Sequence, residues 1–247
     1  MSFEFINVSK TFAQAQAPTL SSINLTIQRG EFVCIVGVSG CGKSTLLNLA
    51  AGLELPTSGE ILLDGRRITG PGADRTVMFQ EHGLFPWLNV YENVCFGMKL
   101  AHLSREEMDA KAEHYLQMMH LSEYKDYPIH QLSGGMRQRT ALARALCMDS
   151  EILLMDEPFS ALDKQTSNRL REELQQIWME TGKTILFITH SVEEAVFLAD
   201  RVIVLSPESK SISEQIEISL PRPRHVYDPA FVALRHRILE KVREEVL

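Results

Sequence analysis

The sequence is poor in cysteine and lacks any pairing pattern for it. Its four cysteines, Cys34, Cys41, Cys95 and Cys147, include no C-x-x-C pair. This argues against a zinc site or a disulfide framework and favours reduced thiols in the cytosol. No apolar run approaches the roughly 20 residues needed to cross a bilayer, so any spanning helices must come from another protein. A basic excess is also missing. Lys and Arg number 25 against 32 Asp and Glu, a formal charge of −7, which disfavours a nucleic-acid partner because neutralising phosphates needs a basic face. The opening Met1-Ser2-Phe3-Glu4-Phe5 has no positive region followed by an apolar stretch, so no signal peptide is expected. No internal repeat or low-complexity tract is evident. What is present is 247 residues, 45% of them hydrophobic, enough for one large domain with a sizeable core.

The pattern along the chain is strands alternating with helices. Phe3, Phe5 and Val8 predict one strand, and Ile23, Leu25 and Ile27 a second. Phe32 to Val36 predicts a third, fully buried one. A turn spans Ala13 to Pro18, and a helix starts after Gly42 and stops at Gly52. Ile61 to Leu63 reads as a strand ending in an Asp64-Gly65 turn, and Thr76 to Phe79 as a further short strand. From Trp87 to about Ser150 the spacing turns helical, with helices opening at Ser104 and Gly134. Strand character returns at Ile152 to Met155. A helix from Asp163 to Thr181 is stopped by Gly182, and a strand follows at Thr184 to Ile188. Ser191-Val192-Glu193-Glu194 predicts a capping-box helix start. Arg201 to Leu205 reads as the last core strand, and 206–224 as a poorly regular connection. A final helix, about Asp228 to Val246, places Phe231, Leu234, Ile238 and Val242 on one face. It reads as docked on its own domain or a partner subunit. The alternation implies an α/β fold with a mainly parallel sheet covered on both faces.

Two motifs carry chemistry on their own. Gly37-Val38-Ser39-Gly40-Cys41-Gly42-Lys43-Ser44-Thr45 fits G-x-x-x-x-G-K-[ST] between a predicted strand and a predicted helix. Glycines let the backbone amides curl inward around phosphates, and the helix adds its positive end. Lys43 is expected to reach the β- and γ-phosphates of ATP, and the Ser44 hydroxyl to ligate Mg²⁺. Cys41 contributes its backbone, and its thiol predicts sensitivity to alkylation. The second motif is the apolar run Ile152 to Met155 ending in Asp156-Glu157. Ligands collect at the carboxyl ends of parallel strands. Asp156 is therefore placed to hold Mg²⁺ through water, and Glu157 to orient and deprotonate the attacking water.

Leu132-Ser133-Gly134-Gly135-Met136-Arg137-Gln138 opens a helix inside the helical stretch and makes a second anion-binding end. With it, the chain resembles the ABC transporter ATPase family over nearly its whole length, although Met136 stands where many members have glutamine. The resemblance implies the phosphate-loop ABC ATPase fold. In that fold a mainly parallel core sheet carries an N-terminal antiparallel β subdomain and an inserted helical subdomain. It divides the single domain 1–247 into a nucleotide-binding core (1–86 and 151–205), a helical signature subdomain (87–150) and a C-terminal extension (206–247). It implies that Ser133, Gly134 and Gly135 serve the cradle of a second copy. Gln80 then matches the glutamine loop that senses Mg²⁺ and touches a permease. Asp163, in Ser160-Ala161-Leu162-Asp163, matches the loop that crosses the dimer seam. His190 matches the switch histidine at the γ-phosphate, and Phe12 the aromatic on which adenine stacks.

The stretch Phe79 to Leu88, the run Thr189 to Ala195 and Pro221-Arg222-Pro223-Arg224 are similar to the nitrate, sulfonate and taurine importer branch. What this implies is an ATP-hydrolysing subunit at the cytoplasmic side of the cell membrane, peripheral to it. Its partners would be a second ATPase subunit as a homodimer, integral-membrane permease subunits and, indirectly, a solute-binding protein. Leu84 to Leu88 reads as an exposed apolar loop suited to a permease helix. Family members that act on nucleic acid or the ribosome carry long coiled-coil insertions or two cassettes, and neither occurs here. Export, or another solute, remains the alternative within transport.

Overall fold

Four apolar runs form the centre of the molecule, and each faces two cores at once. The computed structural model describes residues 2–80, 83–160 and 162–245. Along β3 (Phe32–Val36), Phe32, Cys34 and Val36 enter one hydrophobic cluster, while Val33 and Ile35 enter the other. The same alternation runs through β7 (Ile152–Asp156), β8 (Thr184–Ile188) and β9 (Arg201–Leu205). A strand covered on both faces loses the polar alternation of a half-buried strand and reads as an unbroken apolar run.

These strands lie parallel in the order β9-β3-β8-β7, with β6 (Arg75–Met78) beside β7 at one edge. On one face sit α1 (Lys43–Ala51) and an antiparallel sheet of β1 (Ser2–Lys10), β2 (Leu20–Gln28), β4 (Ser58–Leu63) and β5 (Arg66–Arg67), ordered β2-β1-β4-β5. On the other face pack α2 (Val90–Leu100), α3 (Arg105–Met118) and α4 (Gly134–Cys147), with α5 (Lys164–Thr181), α6 (Val192–Leu198) and α7 (Pro229–Glu244).

Local signals explain most boundaries. Gly52 and Gly182 end α1 and α5 in the left-handed conformation and return their amides to the last-turn carbonyls. Ser104 and Glu107 form a reciprocal capping box on α3. Asp64 and Gly65, both at positive φ, make the two-residue turn from β4 into β5, with Leu63 paired to Arg66.

Three boundaries depart from expectation. The strand expected at Thr76 to Phe79 runs one residue earlier, and Phe79 leaves the sheet and is exposed. The segment 206–224 is not all irregular: β10 (Ile212–Glu217) pairs antiparallel with β9 and ends the large sheet, so β9 is not its last strand. Charged side chains on such an edge hide its strand character while protecting it from further pairing. The terminal helix spans Pro229–Glu244, with Phe231 and Ile238 buried and Leu234 and Val242 packed against the core. Val246 lies outside the described residues.

The loop after β10 is held by two arginines. Arg222 donates to Asp200 Oδ1 and the Leu198 carbonyl, and its guanidinium lies 4.2 Å from the Trp178 ring centroid. Arg224 is buried and donates to the carbonyls of Val196, Phe197 and Ala199 at the end of α6, and of Ile218 and Leu220. Burial lowers its pKa to about 10. Several carbonyls depend on this one donor group, so Arg224→Ala should cost about 3 kcal/mol of stability in urea unfolding. A loss below about 0.5 kcal/mol would contradict the clamp.

Candidate functional site

The loop after β3 wraps the start of α1, and its shape demands glycine. A Cβ on Gly37 would stand 2.7 Å from Cys41 Sγ and 2.9 Å from the Leu205 carbonyl oxygen. Gly42 has φ +104, and a Cβ there would stand 2.7 Å from Leu20 Cδ2. Lys43 is 7% exposed and donates from Nζ to the carbonyls of Gly37 and Val38, at 2.9 and 3.0 Å. An ammonium has three donors, so one remains for a ligand. Val38, Ser39, Gly40 and Thr45 complete this loop and the first turn of α1.

The parallel register brings other site candidates to the same edge. Asp156 closes β7 with the Ser44 hydroxyl beside its carboxyl. Burial pushes its carboxyl up and Glu157 adds to the rise, while Ser44 and Lys43 oppose it. A desolvated carboxylate beside a hydroxyl is a hard oxygen donor set that fits Mg²⁺. Among the described residues no group of three or more His, Cys, Asp or Glu forms a metal cage.

Glu157 has φ +43, an unusual conformation for a side-chain-bearing residue, and its amide donates to the Ile188 carbonyl. Its Oε2 lies 2.9 Å from His190 Nδ1. A carboxylate only accepts, so Nδ1 carries the proton in this pair and Nε2 is left for another partner. Gln80 Nε2 is 3.5 Å from Ser160 Oγ, which donates to the Glu157 carbonyl. Glu157, His190 and, through Ser160, Gln80 are thus linked, and Ser44 and Lys43 lie within electrostatic reach of Asp156.

Ser133, Gly134, Gly135 and Asp163 gather elsewhere. With Met136, Arg139, Leu162 and Thr166 they line a cleft of about 440 Å³. Ser133 caps α4, accepting from the Met136 amide. A Cβ on Gly135 would stand 2.7 Å from Thr166 Cγ2. Asp163 caps α5 through the Gln165 and Thr166 amides, and these hydrogen bonds, that of Thr166 first, hold its carboxyl below the usual range. Its neighbour Ala161 lies outside the described residues. Two helix starts therefore meet in this cleft.

Phe12 is 39% exposed on the loop between β1 and β2, with Lys10 Nζ 4.9 Å from its ring centroid. In the loop after Gln80, Glu81 and His82 lie outside the described residues. Trp87 is 75% exposed, and the Phe85 ring packs on Phe96 at 4.2 Å. Buried Asn93 shapes this loop by accepting from the Phe85 amide and donating to the carbonyls of Phe85 and Asn89.

Sequence reasoning missed Asn93, Arg139 and the role of Glu194. Ser191 does accept from the Glu194 amide, yet the Glu194 carboxylate does not close the expected box. It accepts instead from Thr189 Oγ1 at 2.5 Å. The signal available in the sequence was a hydroxyl five residues before the glutamate.

The chain is similar to known proteins over most of its length. A family model described as ABC transporter matches residues 20–160. The nitrate import ATP-binding protein NrtD of Synechococcus elongatus is 46% identical over 94% of this chain and 88% of its own length. The bicarbonate transport ATP-binding protein CmpC of the same species is 46% identical over 94% of this chain, which spans 37% of that protein. Among solved structures, the dimeric bacterial ABC transporter cassette MJ0796 has a TM-score of 0.79 at 32% identity, covering 89% of this chain and 100% of its own. Its post-hydrolysis state bound to ADP and Pi gives 0.77 at 32% identity, with the same coverage.

The alkylation sensitivity expected of Cys41 does not follow from its surroundings. The thiol is buried against Gly37, and burial raises its pKa, with Lys43 opposing. In peptide mapping of the native chain, iodoacetamide should label Cys41 at least about a hundredfold more slowly than in the urea-unfolded chain. Equal rates would contradict its burial.

Proposed function

This chain belongs to the ABC transporter family as an ATP-binding subunit, and from that premise we propose that a pair of copies hydrolyses ATP to drive a membrane importer of small anions. The observation that carries the reading is the convergence of Lys43, Ser44, Asp156, Glu157 and His190 on one sheet edge, while Ser133 to Gly135 open α4 in a separate cleft. One copy's cradle needs glycine-rich amides on the far side of the terminal phosphate. The α4 start of a second copy would supply them. The dimeric cassette that this chain resembles supports such a pairing.

Each group has a task that follows from its chemistry. The cradle amides of residues 37–45 and the Lys43 ammonium bind and neutralise phosphate charge. Ser44 and Asp156, with Gln80, would hold Mg²⁺, which would neutralise phosphate charge when bound. Glu157 orients the attacking water and accepts its proton. His190, held through Nδ1, presents Nε2 to the transferred phosphate. Phe12 offers its exposed ring to adenine, and Asp163 fixes the α5 start at the seam. Lobes at 1–86 with 151–205, at 87–150 and at 206–247 then act as nucleotide core, signature lobe and extension.

No helix of the described residues is long and apolar enough to cross a membrane, and the importer relatives support a permease as partner. The exposed Trp87 beside Phe85 suits a short apolar helix from it, which supports a peripheral position at the cytoplasmic membrane face. The nitrate and bicarbonate transport relatives support a small oxyanion as solute. The branch resemblance adds sulfonate and taurine, with a solute-binding protein upstream.

The Glu157→Gln variant should bind ATP as the wild type does and lose turnover at least about a hundredfold. Near-normal hydrolysis would contradict the assignment. Cells lacking the chain should lose energised uptake of one of nitrate, bicarbonate, sulfonate or taurine, and unchanged uptake of all four would contradict the solute class.

A further inference from the structure

The Glu194 carboxylate has no part in the chemistry above, yet it closes a ring of hydrogen bonds around His190. Thr189 Oγ1 donates to Glu194 Oε2 at 2.5 Å and accepts from the Ser191 amide at 2.9 Å. Ser191 Oγ accepts from the Glu194 amide at 3.3 Å. Thr189 is therefore tied directly to this carboxylate, and Ser191 is tied to it through Thr189 Oγ1.

That carboxylate sits on a fixed platform. Its neighbour Glu193 is held by Arg171 of α5 at 3.2 Å and by Arg235 of α7 at 3.1 Å. Arg171 is itself buried, with its guanidinium 4.5 Å from the Phe197 ring centroid. On the other side, the Thr189 amide donates to the Ile35 carbonyl of β3. His190 thus sits on a three-residue loop between β8 and α6 that is tied to β3 at one end and to the α6 start at the other. Burial pushes the Glu194 carboxyl up, with Thr189, Arg171 and His190 opposing that rise and Glu157 adding to it. A half-buried acid of this kind is costly unless its hydrogen bonds are kept.

We propose that Glu194 is a positioning residue for ATP hydrolysis, acting through Thr189 and Ser191 to hold His190 against Glu157. This rests on the reading of His190 and Glu157 as the reacting-site pair. The carboxylate works here as a hydrogen-bond acceptor, so a glutamine carbonyl can replace it.

The test uses the full chain with Glu194→Ala, Thr189→Val, their double variant, Glu194→Gln and His190→Ala. Thr189→Val keeps the side-chain shape and guards against a fold that fails without Glu194. Glu194→Ala and Thr189→Val should each lower kcat about tenfold while KM for ATP stays within about twofold. The double variant should be no slower than either single one, and Glu194→Gln should recover wild-type turnover. In the nucleotide-free protein, amide hydrogen exchange at His190 and Ser191 should quicken in the Ala and Val variants but not in Gln. Wild-type kcat and exchange in Glu194→Ala, or a Gln variant as slow as Ala, would overturn the proposal while leaving the site reading intact if His190→Ala is inactive. A fully active His190→Ala would instead remove the site reading, and the positioning role with it.

Discussion

The whole arrangement depends on one rung of the central sheet. Ile188 of β8 is in register with Ile35 of β3 on one side and with Asp156 of β7 on the other. Neighbouring strands lie about 4.8 Å apart, so the residues just past this rung are forced together. They are the glycine loop after Val36, Glu157 after Asp156, and Thr189 and His190 after Ile188. Parallel pairing makes all three segments leave in the same direction. The β-strand core therefore does more than supply stability; its register sets which charges meet. The Glu157 amide donating back to the Ile188 carbonyl extends the pairing one residue past the strand and coincides with that residue's positive φ.

Around this edge, helix ends do the electrostatic work. The start of α1 faces the Lys43 cradle, whereas the starts of α4 and α5 meet in the Ser133 cleft. A helix start concentrates unpaired amides and partial positive charge. The chain carries two such anion-seeking surfaces on different lobes of the fold. On the proposed reading, a single phosphate group held by both lies between two copies of the chain.

Much of this was legible in the sequence. The apolar runs of β3, β7, β8 and β9 read correctly because each strand feeds two cores, and Gly52, Gly182 and Ser104 marked helix ends through purely local chemistry. The glycine loop was legible because only glycine tolerates the crowding at Gly37 and Gly42. What escaped reading depends on partners that no local pattern specifies. Charged residues on β10 masked an edge strand. Asn93 and Arg224 look like ordinary polar positions until the carbonyls they gather are known. Glu194 matched a local capping pattern, and a tertiary hydrogen bond to Thr189 redirected it. Cys41 was read as sensitive to alkylation from its motif, and its packing buries the thiol.

The central claim is that terminal phosphate is gripped between two copies of this chain, and a mixed-dimer experiment tests it most directly. Lys43→Ala disables one copy's cradle and Ser133→Arg the other copy's capping helix, and each variant alone should be inactive. In a mixture, the Lys43-bearing cradle of one chain meets the Ser133-bearing helix of the other, leaving one intact site. The account predicts recovery to about a quarter of wild-type ATPase activity if chains exchange randomly and sites act independently. Activity no higher than that of the separate variants, with heterodimers shown to form, would contradict it.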